Sequence, residues 1–306
     1  MLLSICIPIY NSDIRPIANE LHRQIQSYSS EVELLFLDDA SDVFFKELNR
    51  SVGPISDYQE LDANVGRSKI RNAFLPFVKG KYMLFIDGDS KIIRPDFIQR
   101  YVEYLRSNNA QVLIGASVYS DEKPQRKNLL RWKYSRSRES KTFVERNSYP
   151  ELGFKSNNFV LLKSLFATHP FDETLTTYGH EDTLFGFQLR KAGVKFAQID
   201  NPVLNSNLDE NEHFLAKTKE ALQNLLLISF RLQDSQFNKE HQLLSLALKI
   251  ERNLIFHSSF KLFQRLCLPM ITRCLKNGYF TLWMFDFYRL AHTIDYLGDY
   301  RNNKLF

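Results

Sequence analysis

Cysteine is scarce: Cys6, Cys267 and Cys274 are the only three in 306 residues. At these spacings they form neither a disulfide framework nor a zinc-type ligand set. That excludes a small disulfide-stapled secreted fold and points to a reducing, cytoplasmic setting. No apolar run approaches the ~20 residues needed to span a bilayer. The opening segment MLLSICIPIYN lacks both a basic leader and a small-residue cleavage site, so a buried first strand is expected there rather than a signal peptide. Internal repeats and low-complexity tracts are missing too. A large charge excess is also lacking: 40 Lys and Arg against 35 Asp and Glu leave a formal +5. That is too little to mark a nucleic-acid binder, and no nucleic-acid partner is expected.

What is present is the profile of a globular protein, 44% apolar and 25% charged, long enough for one large domain and a smaller one. Apolar runs at 3–10, 32–39, 81–89 and 111–119 predict strands. Between the first two, Ile14 to Tyr28 places Ile17, Leu21 and Ile25 on one helical face. Residues 67–78 and 95–106 predict further helices, the second opened by Pro95 in its first turn. Such alternation predicts an α/β fold, a mostly parallel sheet covered by helices on both faces. After about residue 205 the texture changes: from Phe214 onward the pattern is helical throughout. The expected division is therefore 1–205 and 206–306, the latter all-helical. Cys267 and Cys274, seven apart, are expected on one buried helix face. The aromatic segment 278–292 is expected to pack on the first domain or to pair subunits.

In open α/β sheets ligands bind beyond the carboxyl ends of the strands. Those ends are polar here: Pro8-Ile9-Tyr10-Asn11, Asp38-Asp39-Ala40-Ser41 and Asp87-Gly88-Asp89. Any one of them serves equally well as a turn, but three along one edge suggest a site. Asp87 and Asp89 can share a hard cation through oxygen ligands, and the glycine between them lets a diphosphate approach. A divalent ion there would offset charge building on a phosphate leaving group.

The stretches 3–13 (LSICIPIYNSD), 34–41 (LLFLDDAS), 64–72 (NVGRSKIRN) and 83–90 (MLFIDGDS) resemble, in order and spacing, the successive motifs of family 2 glycosyltransferases. Residues 156–196 are similar to that family's acceptor-side half, and together the likeness covers about the first two-thirds of the chain. It implies a GT-A, Rossmann-like fold and an inverting, nucleotide-sugar-dependent transferase, with a UDP-sugar as donor and Mn²⁺ or Mg²⁺ as cofactor. Residue by residue, Pro8, Tyr10 and Asn11 would line the nucleotide pocket, with Tyr10 offering a face to the base. Asp39 would accept a hydrogen bond from uracil, with Asp38 beside it the lesser candidate. Gly66, Arg67 and Arg71 would contact base, ribose or diphosphate, arginine being apt because its charge does not titrate and its fork matches phosphate oxygens. A surface salt bridge is the plainer role for Arg71. Asp87 and Asp89 would be the metal and sugar-nucleotide motif, Asp89 the direct ligand.

The segment TTYGHEDTLFGFQLRKAG turns at Gly179 into a helix that ends near Gly193. Glu181 and Asp182 fall in its first turn, where the helix dipole alone would favour acids. The resemblance makes Asp182 the base that takes the acceptor's proton and gives Glu181 a contact to acceptor or donor sugar; the reverse assignment is also open. His180 beside Gly179 is a turn or cap residue before it is a metal ligand. Asn157 and Asn158 are candidates for sugar hydroxyls. One departure stands out: relatives commonly carry a histidine after an Asn-Pro-Val segment, and here that position is Asn205, a weaker metal ligand than imidazole. His213 lies eight residues further on, at an expected exposed helix start.

Between Lys123 and Arg146 lie nine Lys or Arg residues against Glu139 and Glu145 alone. This stretch is either a solvated loop or an acceptor-side contact to a lipid-linked acceptor and the inner face of the cell membrane, with Leu129, Leu130 and Trp132 dipping into the interface. The resemblance implies transfer of a hexosyl or N-acetylhexosaminyl group to a saccharide or glycolipid in polysaccharide or glycoconjugate biosynthesis. Two alternatives compete. A nucleotidyltransferase would open on a glycine-rich phosphate loop, which Pro-Ile-Tyr-Asn is not; a non-catalytic scaffold has no need of Asp39, Asp87, Asp89 and Asp182.

Overall fold

Strand β1 (Leu3–Ile9) is buried along nearly its whole length, as a central strand covered on both faces must be. The computed structural model describes residues 1–206 and 208–301. Its other strands are β2 (Val32–Asp38), β3 (Asp57–Glu60), β4 (Tyr82–Ile86), β5 (Ser90–Ile92), β6 (Val112–Ile114), β7 (Ser117–Tyr119), β8 (Asn158–Leu162), β9 (Phe196–Gln198) and β10 (Val203–Asn205). Seven of them form one sheet in the order β3-β2-β1-β4-β8-β6-β9, and β5-β10-β7 form a smaller one. β1 pairs in parallel with β2 and β4, whereas β8 runs antiparallel between β4 and β6.

The helices that cover and extend these sheets are α1 (Arg15–Ile25), α2 (Val43–Asn49), α3 (Arg67–Asn72), α4 (Phe97–Ser107), α5 (Leu129–Tyr134), α6 (Phe143–Asn147) and α7 (Lys163–Thr168). They continue with α8 (Glu181–Lys191), α9 (Asn211–Leu232), α10 (Ser235–Glu240), α11 (Gln242–Arg252), α12 (Leu254–Lys276) and α13 (Leu282–Arg301). Alternation along β1 divides the core. Leu3, Ile5 and Ile7 join Ile17 and Leu21 of α1 and Tyr101 of α4 on one face, while Cys6 joins Phe85, Phe159, Phe171 and Phe185 on the other. The expected α/β class, with a central sheet flanked by helices and a helical C-terminal region, is the class observed.

Three local expectations change, and one strand is new. The run 111–119 is not one strand: it breaks at Gly115 and Ala116 into β6 and β7, which belong to different sheets. A Cβ on Gly115 would fall 2.0 Å from the Tyr101 hydroxyl, and Ala116 takes a left-handed φ of 63°. The helix expected over 67–78 ends at Asn72, because Pro76 lacks a backbone N–H and disfavours helical geometry at Leu75. The helix expected from Pro95 starts at Phe97 behind Asp96. Strand β3 carries no apolar run at all. Its polar, alternately exposed residues suit a sheet edge, which is why hydrophobic pattern does not find it.

The chain separates into two compact units. The first holds both sheets and comprises Met1–Asp121, Ser140–Thr176 and the stretch that begins at Glu181. The second comprises Glu122–Glu139, Thr177–His180 and the chain from Leu208 onward. Its core gathers Leu130, Phe214, Leu215, Ile271, Leu275, Phe285 and Tyr288, so part of the aromatic 278–292 segment lies inside the helical unit. The basic stretch belongs to this unit up to Glu139, while Lys141 and Arg146 belong to the first. Arg131 pairs with Glu139 at 2.9 Å, Lys127 with Glu210 at 2.6 Å and Arg138 with Asp286 at 3.0 Å. Arg126 lies 4.3 Å above the Tyr279 ring. Leu130 is fully buried, so it does not dip into a membrane, and Leu129 and Trp132 are half-buried.

Candidate active site

β1 lies between β2 and β4, so successive crossovers leave it in opposite directions, and the crevice of such a sheet opens at that point. The carboxyl ends of β1, β2 and β4 carry the polar clusters. Tyr10 is 56% exposed just past β1, a ring free to meet a planar ligand. Asn11 has a left-handed φ of 47°; its N–H donates to the Ser41 hydroxyl and its Oδ1 accepts from the Asp42 N–H, both at 2.8 Å. Its amide therefore ties the ends of β1 and β2 together. Pro8 contributes its carbonyl as the floor under Gly88, where an added Cβ would stand 3.1 Å away.

Asp39 is buried and accepts from the N–H groups of Val65 and Gly66 at 2.6 and 3.0 Å. Burial pushes its carboxyl up, and those two N–H groups hold it partly down. Asp39 thus fixes the turn that starts α3. Asp38 is engaged in the same frame, accepting from the Tyr58 hydroxyl at 2.9 Å and the Ser41 N–H at 2.6 Å.

An ion-pair network spans the middle of the site. Arg67, partly exposed, donates from Nε to Glu181 at 2.6 Å and stands 4.0 Å from Asp87. Arg71, only 2% exposed, donates to Asp87 at 2.7 Å and to the Arg67 carbonyl at 2.9 Å. It is therefore no surface side chain. Its guanidinium fixes Asp87 and lies 5.7 Å from the Phe171 ring centre. Removing one partner of such a buried pair costs about 3–5 kcal/mol, because the other charge is left uncompensated. The turn after β4 and the first turn of α8 are joined through these two arginines.

Glu181 and Asp182 occupy opposite environments. Burial pushes Glu181 up, but Arg67 and Arg71 outweigh it and hold the carboxyl well below the ordinary glutamate range. Asp182 is pushed up by burial, opposed by Lys155 at 3.8 Å and reinforced by the neighbouring Glu181. Two carboxylates driven apart in this way divide into a permanent anion and a proton acceptor. Lys155 carried no sequence signal; proximity alone reveals it.

Whether a hard cation fits can be tested on the donor atoms. Asn205 ends β10, paired with Ser90 one residue beyond Asp89, and the Ser206 hydroxyl reaches the Asp89 carbonyl at 3.4 Å. The Asn205 Oδ1 is buried without a hydrogen-bond partner. A buried amide oxygen awaiting a partner, on the strand paired next to the Asp-Gly-Asp turn, suits Mg²⁺ or Mn²⁺, which keep water and phosphate ligands of their own. Asp87 is committed to the arginines. No group of three His, Cys, Asp or Glu placed to hold a metal ion by themselves exists among the described residues. His213 is exposed and stands 3.1 Å from Asp209. His180 takes a φ of 66° and lies edge-on to His241, ring centres 6.0 Å apart.

The two asparagines part company. Asn157 accepts the Asp87 N–H on its carbonyl at 3.3 Å, and its side-chain Oδ1 is buried without a partner. Asn158 lies inside β8, fully buried, accepting from Tyr101 at 2.6 Å and donating to the carbonyls of Ala116 and Asn201. Its amide is used within the fold, so it is not available to a sugar. Asn224 of α9 is a residue the sequence did not flag. Its Nδ2 donates to the carbonyls of Thr177 and Gly179, and its Oδ1 accepts from the Thr177 hydroxyl at 2.9 Å. Gly179, at φ 101°, sits where a Cβ would be 2.6 Å from that of Ala221, so only glycine allows this segment to lie against α9.

A sheet of this order, flanked by helices, with an Asp-Gly-Asp turn after β4 and a carboxylate pair opening α8, is the GT-A architecture of glycosyltransferases. The sequence model described as glycosyl transferase family 2 matches residues 4–167, more than half of the chain. The chain belongs to that family. No curated protein matches it in sequence. Among solved structures it is similar to residues 1–349 of S. aureus TarS in complex with UDP-GlcNAc, at 16% identity and a TM-score of 0.55 over 100% of this chain and 93% of that one. It spans only 40% of a longer TarS chain. The mannosyltransferase PcManGT from Pyrobaculum calidifontis, in complex with GDP-Man and Mn²⁺, is 14% identical with a TM-score of 0.53, covering 97% and 87%. Glucosyl-3-phosphoglycerate synthase from Mycobacterium tuberculosis, in complex with Mg²⁺ and UDP, is 18% identical with a TM-score of 0.51, covering 74% and 78%.

Proposed function

We propose that residues 1–205 carry out an inverting transfer of a hexosyl or N-acetylhexosaminyl group from a UDP-sugar to a hydroxyl of a saccharide or glycolipid, in polysaccharide or glycoconjugate assembly. The observation that carries this is the opposed pair Glu181 and Asp182, one held ionised by Arg67 and the other raised into a proton acceptor. The acceptor oxygen attacks the anomeric carbon, forming the new C–O bond. The bond from that carbon to the diphosphate breaks, and UDP departs with the electron pair. The acceptor's proton passes to the Asp182 carboxylate. Attack opposite the leaving group inverts the centre, so an α-linked donor yields a β-linkage.

On the donor side Tyr10 stacks on the base, Asp39 accepts from the uracil N–H with Pro8 and Asn11 framing the pocket, and Gly66 and Arg67 approach the ribose and diphosphate. Arg71 and Asp87 hold that edge rigid, and Asn157 faces the acceptor. Asp89 and Asn205 would hold a Mg²⁺ or Mn²⁺ ion, whose chemistry is to offset charge on the leaving diphosphate. UDP is favoured because TarS and the mycobacterial synthase were crystallised with uridine nucleotides. Free cysteines support a cytoplasmic setting.

The test is Asp182→Asn. Transfer should fall roughly 10²- to 10⁴-fold, while the rise in melting temperature caused by UDP persists. Transfer at the wild-type rate in this variant would sink the assignment.

A further inference from the structure

Helix α12 is apolar on the side that faces its own unit and apolar again on the side that faces away. Ile271 and Leu275 are buried with α5, α9 and α13, and Lys261 and Gln264 bind Asp295. On the opposite side Ile255, Leu262 and Leu266 recur at helical spacing and are 64–78% exposed, flanked by Phe263 and Met270. Soluble surfaces rarely leave that much contiguous aliphatic area uncovered. No helix among the described residues is long and apolar enough to cross a membrane.

Charge indicates what covers this face. From Arg252 to Phe285 there is no Asp or Glu, while Arg252, Lys261, Arg265, Arg273 and Lys276 are all cationic. Arg252, Arg265 and Arg273 are exposed and have no ion-pair partner among the described residues. Trp283, 61% exposed, lies in the same acid-free stretch. A protein partner large enough to cover the helix would meet these arginines with carboxylates at fixed places. A surface of anionic headgroups over hydrocarbon meets both features together and needs no register.

We propose that the outer face of α12 lies in the headgroup layer of an anionic lipid surface, with Ile255, Leu262 and Leu266 inserted and Arg265 and Arg273 on the phosphates. This moves the membrane contact from the 123–146 stretch, whose Leu130 is core, to the helix whose leucines are exposed. It does not depend on the transfer reading, since vesicle binding requires no turnover.

The experiment is co-sedimentation of the full chain with vesicles of mixed phosphatidylglycerol and phosphatidylcholine, and with phosphatidylcholine alone. Binding to the anionic vesicles is expected to be at least roughly tenfold tighter and to weaken with salt. Leu262→Gln/Leu266→Gln should lose roughly tenfold or more of that binding while keeping the wild-type melting temperature. Arg265→Gln/Arg273→Gln should erase the preference for anionic lipid. Absence of binding to either vesicle, or binding untouched by the leucine changes, overturns the proposal. So does a dimer in light scattering that the leucine changes dissociate, because a second copy would then cover the face.

Discussion

Glu181 and Asp182 are neighbours in the chain, yet their ionisation acts on stability with opposite sign. Glu181 is held below its ordinary range, so its ionised form binds the fold: that stability is present above the unfolded value near 4.5 and is lost as pH falls through the lower folded value. Asp182 is raised, so the fold binds its proton more tightly than the unfolded chain does. Its contribution is full below the unfolded value near 3.8 and is lost as pH rises through the folded one. At neutral pH, Glu181→Gln should therefore lower the melting temperature, whereas Asp182→Asn should hold or raise it, with the Asp182→Asn gain vanishing in acid. Melting curves across pH check both signs. With Asp182 in its proposed role as base, the same shift should place the acid limb of kcat/KM above the ordinary aspartate range.

At the scale of elements, the turn that precedes α8 in the chain is held by α9. The segment Thr177–His180 is clamped by Asn224 through Thr177 and Gly179, and the next two residues are Glu181 and Asp182. The left-handed φ of 66° at His180 is a conformation a histidine keeps only when its surroundings impose it. Asn224→Ala removes those bonds. It should cost about 1–3 kcal/mol of stability and, on the proposed role of Asp182, lower kcat more than it raises KM for the donor, because the turn that leads into Asp182 is loosened. Steady-state kinetics beside a melting curve separate the two effects; an unchanged kcat would mean that the clamp serves folding alone.

At the scale of the whole molecule, ligand binding and folding are linked. UDP with Mn²⁺ or Mg²⁺ at about 100 times its Kd should add about 2.7 kcal/mol to unfolding. Asn205→Ala should remove the metal-dependent part of that gain and leave the part due to nucleotide alone, as a thermal-shift titration would show. An equal metal dependence in wild type and variant would exclude Asn205 as a ligand.

The polar ends of β1, β2 and β4 were legible in the amino-acid sequence because buried strands are long apolar runs whose interruption is visible, and in this topology those interruptions lie on one edge. The carboxylate pair opening α8 was legible for the same local reason, a glycine turn followed by a helical pattern. Chain order also carried the α/β class and the helical end. Tertiary structure alone decided what each polar residue does. Asn157 and Asn158 are adjacent and identical, but Asn158, the first residue of β8, spends its whole amide on Tyr101, Ala116 and Asn201, while Asn157, just before the strand, keeps a side-chain oxygen without a partner. Arg71, for which a surface salt bridge stood as the alternative to a donor contact, is core; Leu130, a candidate for the membrane interface, is core as well. Burial and partners depend on contacts between residues far apart in sequence, and no local pattern encodes them.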